Sequence, residues 1–299
     1  MTGRWGMICD EQTLTFYLGV HRPGWLITAP RETALFISHR TLRKLKTLPR
    51  PEYRHYAVDS GAFTEIQRHG RFLTSPAEYI EALARYDEEI GDLAWAAPQD
   101  WMCEPAVIHG GTWNGQQFAG TGLSVAEHQA RTVANFVELE ALWPQYGYGE
   151  CPVMPVVQGW TIDDYLRCVE MYEEAGVRLS TDYQVVGVGS VCRRQGAAEI
   201  GAIFRELAAL DLPLHGFGVK TAGLLRYGRW LTTADSMAWS AAMRRRPPAP
   251  ECAGRRKHCG NCLHAALDWQ DDLLARFAAV TAAPQQLDLI HDAGEPALC

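Results

Sequence analysis

The chain lacks any run of about 20 uninterrupted apolar residues, so no segment reads as a membrane-spanning helix. Its amino terminus, MTGRWGMICDEQ, lacks the apolar core of a secretory signal, and the expectation is a protein that stays in the cytoplasm. A paired cysteine set is also missing. The nine cysteines, at 9, 103, 151, 168, 192, 252, 259, 262 and 299, are odd in number and mostly scattered, which argues against a secreted disulfide framework. There is no excess of positive charge: a formal net charge of −7 argues against nonspecific coating of nucleic acid. Basic residues are nonetheless locally dense, with Arg40, Arg43, Lys44, Lys46, Arg50 and Arg54 in one group, Arg193 with Arg194 in a second, Arg244 to Arg246 in a third, and Arg255, Arg256 and Lys257 in a fourth.

With 299 residues, 47% apolar and 21% charged, the chain has the composition of a globular enzyme with a large core. Short apolar or β-branched runs alternate with longer amphipathic segments, which predicts repeated βα units and a parallel sheet. The strand candidates are FYLGV (16–20), TALFIS (33–38), HYAVDS (55–60), LAWAAPQ (93–99), PVMPVVQ (152–158), QVVGVGS (184–190), PLHGFG (213–218) and LTTADS (231–236). Helix candidates with start signals lie between them: PAEYIEALARYDEEIG opens on proline, and SVAEHQARTVANFVELEAL opens on serine with Glu127 three residues on. TIDDYLRCVEMYEEAG and AAEIGAIFRELAAL follow. Eight strands with intervening helices predict an α/β chain of TIM (β/α)8 barrel type over residues 1–246, with a C-terminal segment, 247–299, packed on it. The segment HGGTWNGQQFAGTGL (109–123) is polar and glycine-rich, and it reads as a long loop over the barrel mouth.

In such a barrel the carboxyl ends of the strands converge on one face. Asp59, Gln99 with Asp100, Gln158, the run Gly187, Val188, Gly189, Ser190, then Lys220 and Asp235, all stand at expected strand ends. A pair of carboxylates on one face is what glycosidic-bond exchange needs, one to attack the sugar and one to move protons. Lys220, beside Thr221 at the start of a helix, lies where barrels often bind phosphate. Cys252, His258, Cys259 and Cys262 offer three thiolates and an imidazole within eleven residues, a donor set suited to tetrahedral zinc. His264, His291 or Cys299 are alternatives to His258 as the fourth ligand.

The ordered motifs DSGAF, PQDWMCEP, PVVQGW, VGVGSVCRRQ, LHGFGVKTAGLL and ADSMAWSAAMR, with the final cysteine cluster, resemble the tRNA-guanine transglycosylase superfamily. The strongest likeness is to its DNA-directed branch, the DpdA deazapurine DNA-modification proteins. It runs from about residue 55 to residue 270. The resemblance implies that Asp235 is the nucleophile and Asp59 the general acid/base. It implies further that Asp100 accepts hydrogen bonds from guanine, that Gln158 contacts the opposite edge, and that backbone N–H groups around Gly187 and Val188 meet the base carbonyl. Phe63, Trp101 and Trp160 are candidates to sandwich the base. The chain departs from the pattern after the glycine run, where Cys192, Arg193 and Arg194 replace a carboxylate, and this implies a neutral incoming base, 7-cyano-7-deazaguanine. The partners implied are DNA, or tRNA as the alternative, the free 7-deazaguanine base, accessory DNA-modification proteins and a second copy of the chain. The lack of a further domain after residue 270 favours DNA. The cofactor implied is a structural zinc. A hydrolytic glycosylase and a non-catalytic, zinc-stabilised nucleic-acid-binding protein are the competing expectations.

Overall fold

A computed structural model describes residues 14–192, 194, 198–254 and 257–282. Arg193, His291 and Cys299 lie outside them. Eight parallel strands form one sheet: β1 (Thr15–Val20), β2 (Leu35–Ser38), β3 (Tyr56–Asp59), β4 (Leu93–Ala96), β5 (Val156–Val157), β6 (Val186–Val188), β7 (Leu214–Gly216) and β8 (Thr233–Ser236). Each lies within one step of an expected strand, and most are shorter than expected. The order is β4-β3-β2-β1-β8-β7-β6-β5. A parallel bridge between Ala96 and Val153 joins β4 to the segment just before β5, with Ala96 N–H donating to Pro152 O at 2.7 Å and Met154 N–H to Ala96 O at 3.0 Å.

The sheet is curled. Trp95 of β4 meets His215 of β7 with ring centroids 4.6 Å apart, and Phe36 of β2 meets Phe217 beyond β7 at 6.4 Å, contacts that a flat sheet of this order would forbid. These rings join Tyr17, Ala57, Met154 and Val156 in an inner apolar cluster. The opposite faces of the strands pack against helices in a larger core. Alternation along each strand separates the two sets.

The long helices are α1 (Pro76–Ile90), α2 (Val125–Tyr146), α3 (Ile162–Glu174), α4 (Ala198–Ala208) and α5 (Leu263–Ala282). Sequence chemistry sets their starts: Ser75 with Glu78, Ser124 with Glu127 and Thr161 with Asp164 each form a reciprocal capping box. Among the described residues no helix is long and apolar enough to cross a membrane.

The expected long loop at 109–123 is partly ordered structure. Gly111–Trp113 and Gln116–Phe118 pair as an antiparallel hairpin across Asn114 and Gly115, both at positive φ (49° and 75°). Asn-Gly suits this turn because both positions require left-handed backbone. Phe118 anchors the hairpin among Ala62, Ile66, Trp101 and Val107. The first basic group also changes. Arg54 is 2% exposed, and its guanidinium donates to the carbonyls of Leu26, Ala29, Pro30 and Thr33, so it ties a loop together and is closed to a phosphate.

Candidate active site

Because every strand of the sheet is parallel, their carboxyl ends share one face. Asp59 is the last residue of β3, in register with Ser38 at the end of β2. The chain turns at Gly61, with φ 78°, into the helix Ala62–His69. The Asp59 carboxyl is enclosed by protein but keeps an accessible edge. Burial pushes it above the ordinary aspartate range and Asp235 adds to this, against the Gly61 N–H, the Ser38 hydroxyl and the more distant charge of Arg40. A carboxyl so placed tends to hold its proton.

Asp235 is one residue from the end of β8 and 5% exposed. The segment after β7 grips it twice. Gly218 N–H donates to Oδ1 at 2.7 Å, and Val219 N–H to the Asp235 carbonyl at 2.8 Å. Gly218 has φ 56°, which turns the backbone back over the strand end. His215 Nε2 lies 3.3 Å from the same Oδ1, and His215 Nδ1 lies 2.8 Å from Thr233 Oγ1. Neither His215 nor Thr233 stands out in the sequence as a site residue. Their signal was strand alternation, which puts Thr233 and Asp235 on one face of β8 with His215 opposite Thr233 in register.

Asp100 and Gln158 meet each other. Gln158 Nε2 donates to Asp100 Oδ2, while Gln158 Oε1 accepts from Ser190 Oγ at 2.7 Å. Ser190 Oγ also receives Cys103 N–H at 2.7 Å and lies 3.2 Å from Glu104 Oε2. Burial raises Asp100 to about 7, with Asp59 and Glu104 contributing in the same direction and the Gln158 bond opposing them. Asp59, Asp100 and Asp235 therefore share one electrostatic neighbourhood. Glu104, buried at 4% exposure, is a fourth acid at its edge, and it is not among the strand-end acids expected from the sequence.

The glycines serve space. A Cβ on Gly189 would sit 2.1 Å from Gln158 Nε2, and one on Gly187 would sit 2.7 Å from the Phe217 ring. The N–H groups of Gly187 and Gly189 are committed to Pro155 O and Val157 O, at 2.8 and 3.0 Å. The donors expected from this strand are thus used by the ladder at those two positions. Val188 is fully buried on the outer, helix-facing side.

The aromatic candidates separate. Trp101 lies beside the hairpin, edge-on to Phe72 at 5.3 Å, with the Arg131 guanidinium 4.6 Å above its ring. Phe63 meets Phe118 edge-on at 6.2 Å. Trp160, two residues beyond Gln158, is covered by the Arg194 guanidinium at 3.9 Å, and Arg194 also pairs with Glu199. Lys220 is exposed at the start of the short helix Thr221–Tyr227.

The sulfur atoms of Cys252, Cys259 and Cys262 lie within 4.8 Å of one another. Cys259 Sγ accepts the Ala249 N–H at 3.4 Å, as metal-bound thiolates commonly do. A hydrogen bond with Cys259 pushes the Cys252 thiol up to about 11, and burial and a hydrogen bond with Cys262 act in the same direction. The donor set and its spacing fit a metal ion. His258 is not in that group; its Nδ1 accepts the Gly260 N–H at 3.2 Å.

A surface groove of about 760 Å³ lies between His109, Ala119–Ser124 and Glu127, and none of the acids at the strand ends lines it. The chemistry points to the strand ends.

No curated protein sequence matches the chain. Among solved structures, it resembles that of Rhizobium etli pyruvate carboxylase T882A with the allosteric activator acetyl coenzyme-A, at 15% identity and a TM-score of 0.33. That match covers 92% of this chain and 26% of the other, and a likeness so loose decides nothing about fold or function. The DpdA family, DeoxyPurine in DNA protein A, matches residues 12–291, nearly the whole chain. With its acids gathered at the ends of parallel strands and that match running from before β1 to beyond α5, the chain belongs to the DpdA family.

Proposed function

We propose that the protein exchanges guanine in DNA for a 7-deazaguanine through a covalent aspartyl-nucleotide intermediate. The observation that carries this reading is the gathering of Asp235, Asp59 and the Asp100–Gln158 pair at the carboxyl ends of parallel strands. A lone pair of the Asp235 carboxylate forms the bond to C1′, and the C1′–N9 electron pair leaves with guanine, which takes the proton held by Asp59. The incoming base then loses its N9 proton to Asp59 and displaces the carboxylate from C1′. The two displacements retain configuration and restore both acids. Asp100 would accept from the N1 and exocyclic amino groups of guanine once Gln158 has moved aside.

The curled sheet reads as a (β/α)8 barrel closed at the Ala96–Val153 bridge, with the segment beyond residue 246 packed on it. The three thiols read as ligands of a structural zinc, whose fourth ligand comes from a residue other than His258 as it now stands. The incoming base is neutral in this reading, 7-cyano-7-deazaguanine, because Cys192 and Arg194 follow Ser190 where an aminomethyl cation would need a carboxylate. Removing a purine from the base stack costs a few kcal/mol, which favours single-stranded or distorted DNA.

Nucleoside mass spectrometry on DNA and tRNA incubated with the protein and each deazaguanine tests the reading. Incorporation of the cyano base into DNA is expected, together with its loss in Asp235→Asn. Incorporation into tRNA alone would move the substrate, and abasic product without added base would replace exchange with hydrolysis. Preference for the aminomethyl base would point to Glu104 as its counter-ion.

A further inference from the structure

His215 has a place in the site that the exchange chemistry does not assign. It is fully buried and boxed by the rings of Trp95 at 4.6 Å, Phe217 at 4.7 Å, Phe36 at 6.2 Å and Tyr17 at 6.5 Å. Within that apolar box its two nitrogens face different oxygens, Nδ1 the Thr233 hydroxyl at 2.8 Å and Nε2 the Asp235 Oδ1 at 3.3 Å. A nucleophilic carboxylate has no hydrogen to give, so Nε2 must carry one. A neutral imidazole then leaves Nδ1 as an acceptor, and the Thr233 hydroxyl must be its donor. For a neutral imidazole the two bonds are complementary only in that arrangement, whereas an imidazolium would donate through both nitrogens.

We propose that Thr233 sets the tautomer of His215, and that His215 is a positioning residue whose Nε2–H, with Gly218 N–H, holds Oδ1 of Asp235 so that the other carboxylate oxygen faces C1′. The proposal rests on the covalent-exchange reading and deepens it. When the second oxygen bonds to C1′ and the C1′–N9 pair departs with the purine, Oδ1 becomes the ester carbonyl oxygen. The same two donors then polarise that carbonyl and stabilise the carboxylate when the incoming base expels it. In a box of low polarity such donors act more strongly than in water. Fixing the carboxylate by rigid donors also avoids reorganisation at each displacement.

The ¹⁵N imidazole spectrum of the full chain reads the tautomer without reference to activity. His215 is expected to be protonated at Nε2 and bare at Nδ1, and protonation at Nδ1 in the wild type would overturn the proposal. In base exchange, His215→Phe keeps a ring but removes both nitrogens, and it is expected to lower kcat about 10- to 100-fold, the worth of a hydrogen bond to a charged group, with KM for DNA and base unchanged. His215→Gln, whose amide can offer an N–H near the Nε2 position, is expected to recover to within about threefold of wild type. Thr233→Val, which leaves His215 in place, is expected to lower kcat about 3- to 10-fold and supplies the test should the phenylalanine variant not fold. An unchanged kcat in His215→Phe or in Thr233→Val would overturn the proposal, as would a loss in His215→Gln equal to that in His215→Phe. If the wild type exchanges no base at all, the exchange reading fails by itself while the tautomer still decides the arrangement of His215.

Discussion

Burial lifts the Asp100 carboxyl to about 7, whereas in an unfolded chain it ionises near 3.9. Between those values the unfolded chain has released a proton that the folded chain still holds. Stability therefore falls as pH rises from about 4 to 7 and stays lowered above that. Asp100→Asn removes this penalty, so its Tm is expected to exceed that of the wild type at pH 8 and to approach it at pH 4, while base exchange is lost. Thermal melts at the two pH values check the sign; a variant less stable than wild type at pH 8 would show that the Gln158 bond outweighs desolvation. Gly189 offers a second residue-scale test. A Cβ there would sit 2.1 Å from Gln158 Nε2, so Gly189→Ala must displace the amide that meets both Asp100 and Ser190. The expected cost is about 1–3 kcal/mol of stability, typical of overpacking, and exchange activity should fall further than that loss explains. Denaturant unfolding alongside steady-state exchange separates the two effects.

Strands and helices were legible in the sequence because their periods differ and because cap residues mark the helix starts: the serine, threonine and acidic pairs at 75/78, 124/127 and 161/164 all form capping boxes. The acids at the strand ends were legible for the same reason, since parallel strands leave their carboxyl ends on one face. The hairpin is not legible, although Asn114-Gly115 announces its turn, because its strands of three residues each are too short and too polar to show alternation. The pairing of Asp100 with Gln158 and the His215–Thr233 contact are hidden because they join residues on, or just beyond, different strands, and one sequence carries no record of which side chains meet across a sheet. The hairpin has its own consequence. Gly110 and Gly120 approach so closely at its base that a Cβ on Gly120, at φ 78°, would lie 2.9 Å from Gly110 N. Gly120→Ala is therefore expected to loosen the hairpin through both strain and contact. Phe118 shares a cluster with Trp101, which follows Asp100 directly. Faster hydrogen exchange at residues 111–118 with a reduced exchange rate of the base is the expected pair of results, and normal activity with a loosened hairpin would separate this element from the site.

At the scale of the molecule, the thiol cluster is tied to the segments that follow β8 and β1. The helix that follows Asp235, Ala238–Arg244, sends the Ser240 hydroxyl to Gly260 O at 2.7 Å, and Asn261 meets His21 just beyond β1. Both contacts belong to the turn between Cys259 and Cys262. Helix α5 starts directly after Cys262 and packs on the same helix Ala238–Arg244. Folding this turn brings three thiols together, and a divalent ion that binds them stabilises the folded chain in proportion to how little it binds the unfolded one. Chelation is thus expected to act on the turn first, through it on the clamp from Ser240 and His21, and through the helix on the placement of Asp235. About one zinc per chain is expected by elemental analysis, and its removal should lower both Tm and kcat, with Cys259→Ser reproducing the effect because Cys259 is the thiol that also receives the Ala249 N–H. Retained Tm and rate in a chain shown to be metal-free would mean that packing alone holds the turn. A lowered Tm with an unchanged rate would instead confine the metal's influence to helix α5 and leave Asp235 to the grip of Gly218 and Val219.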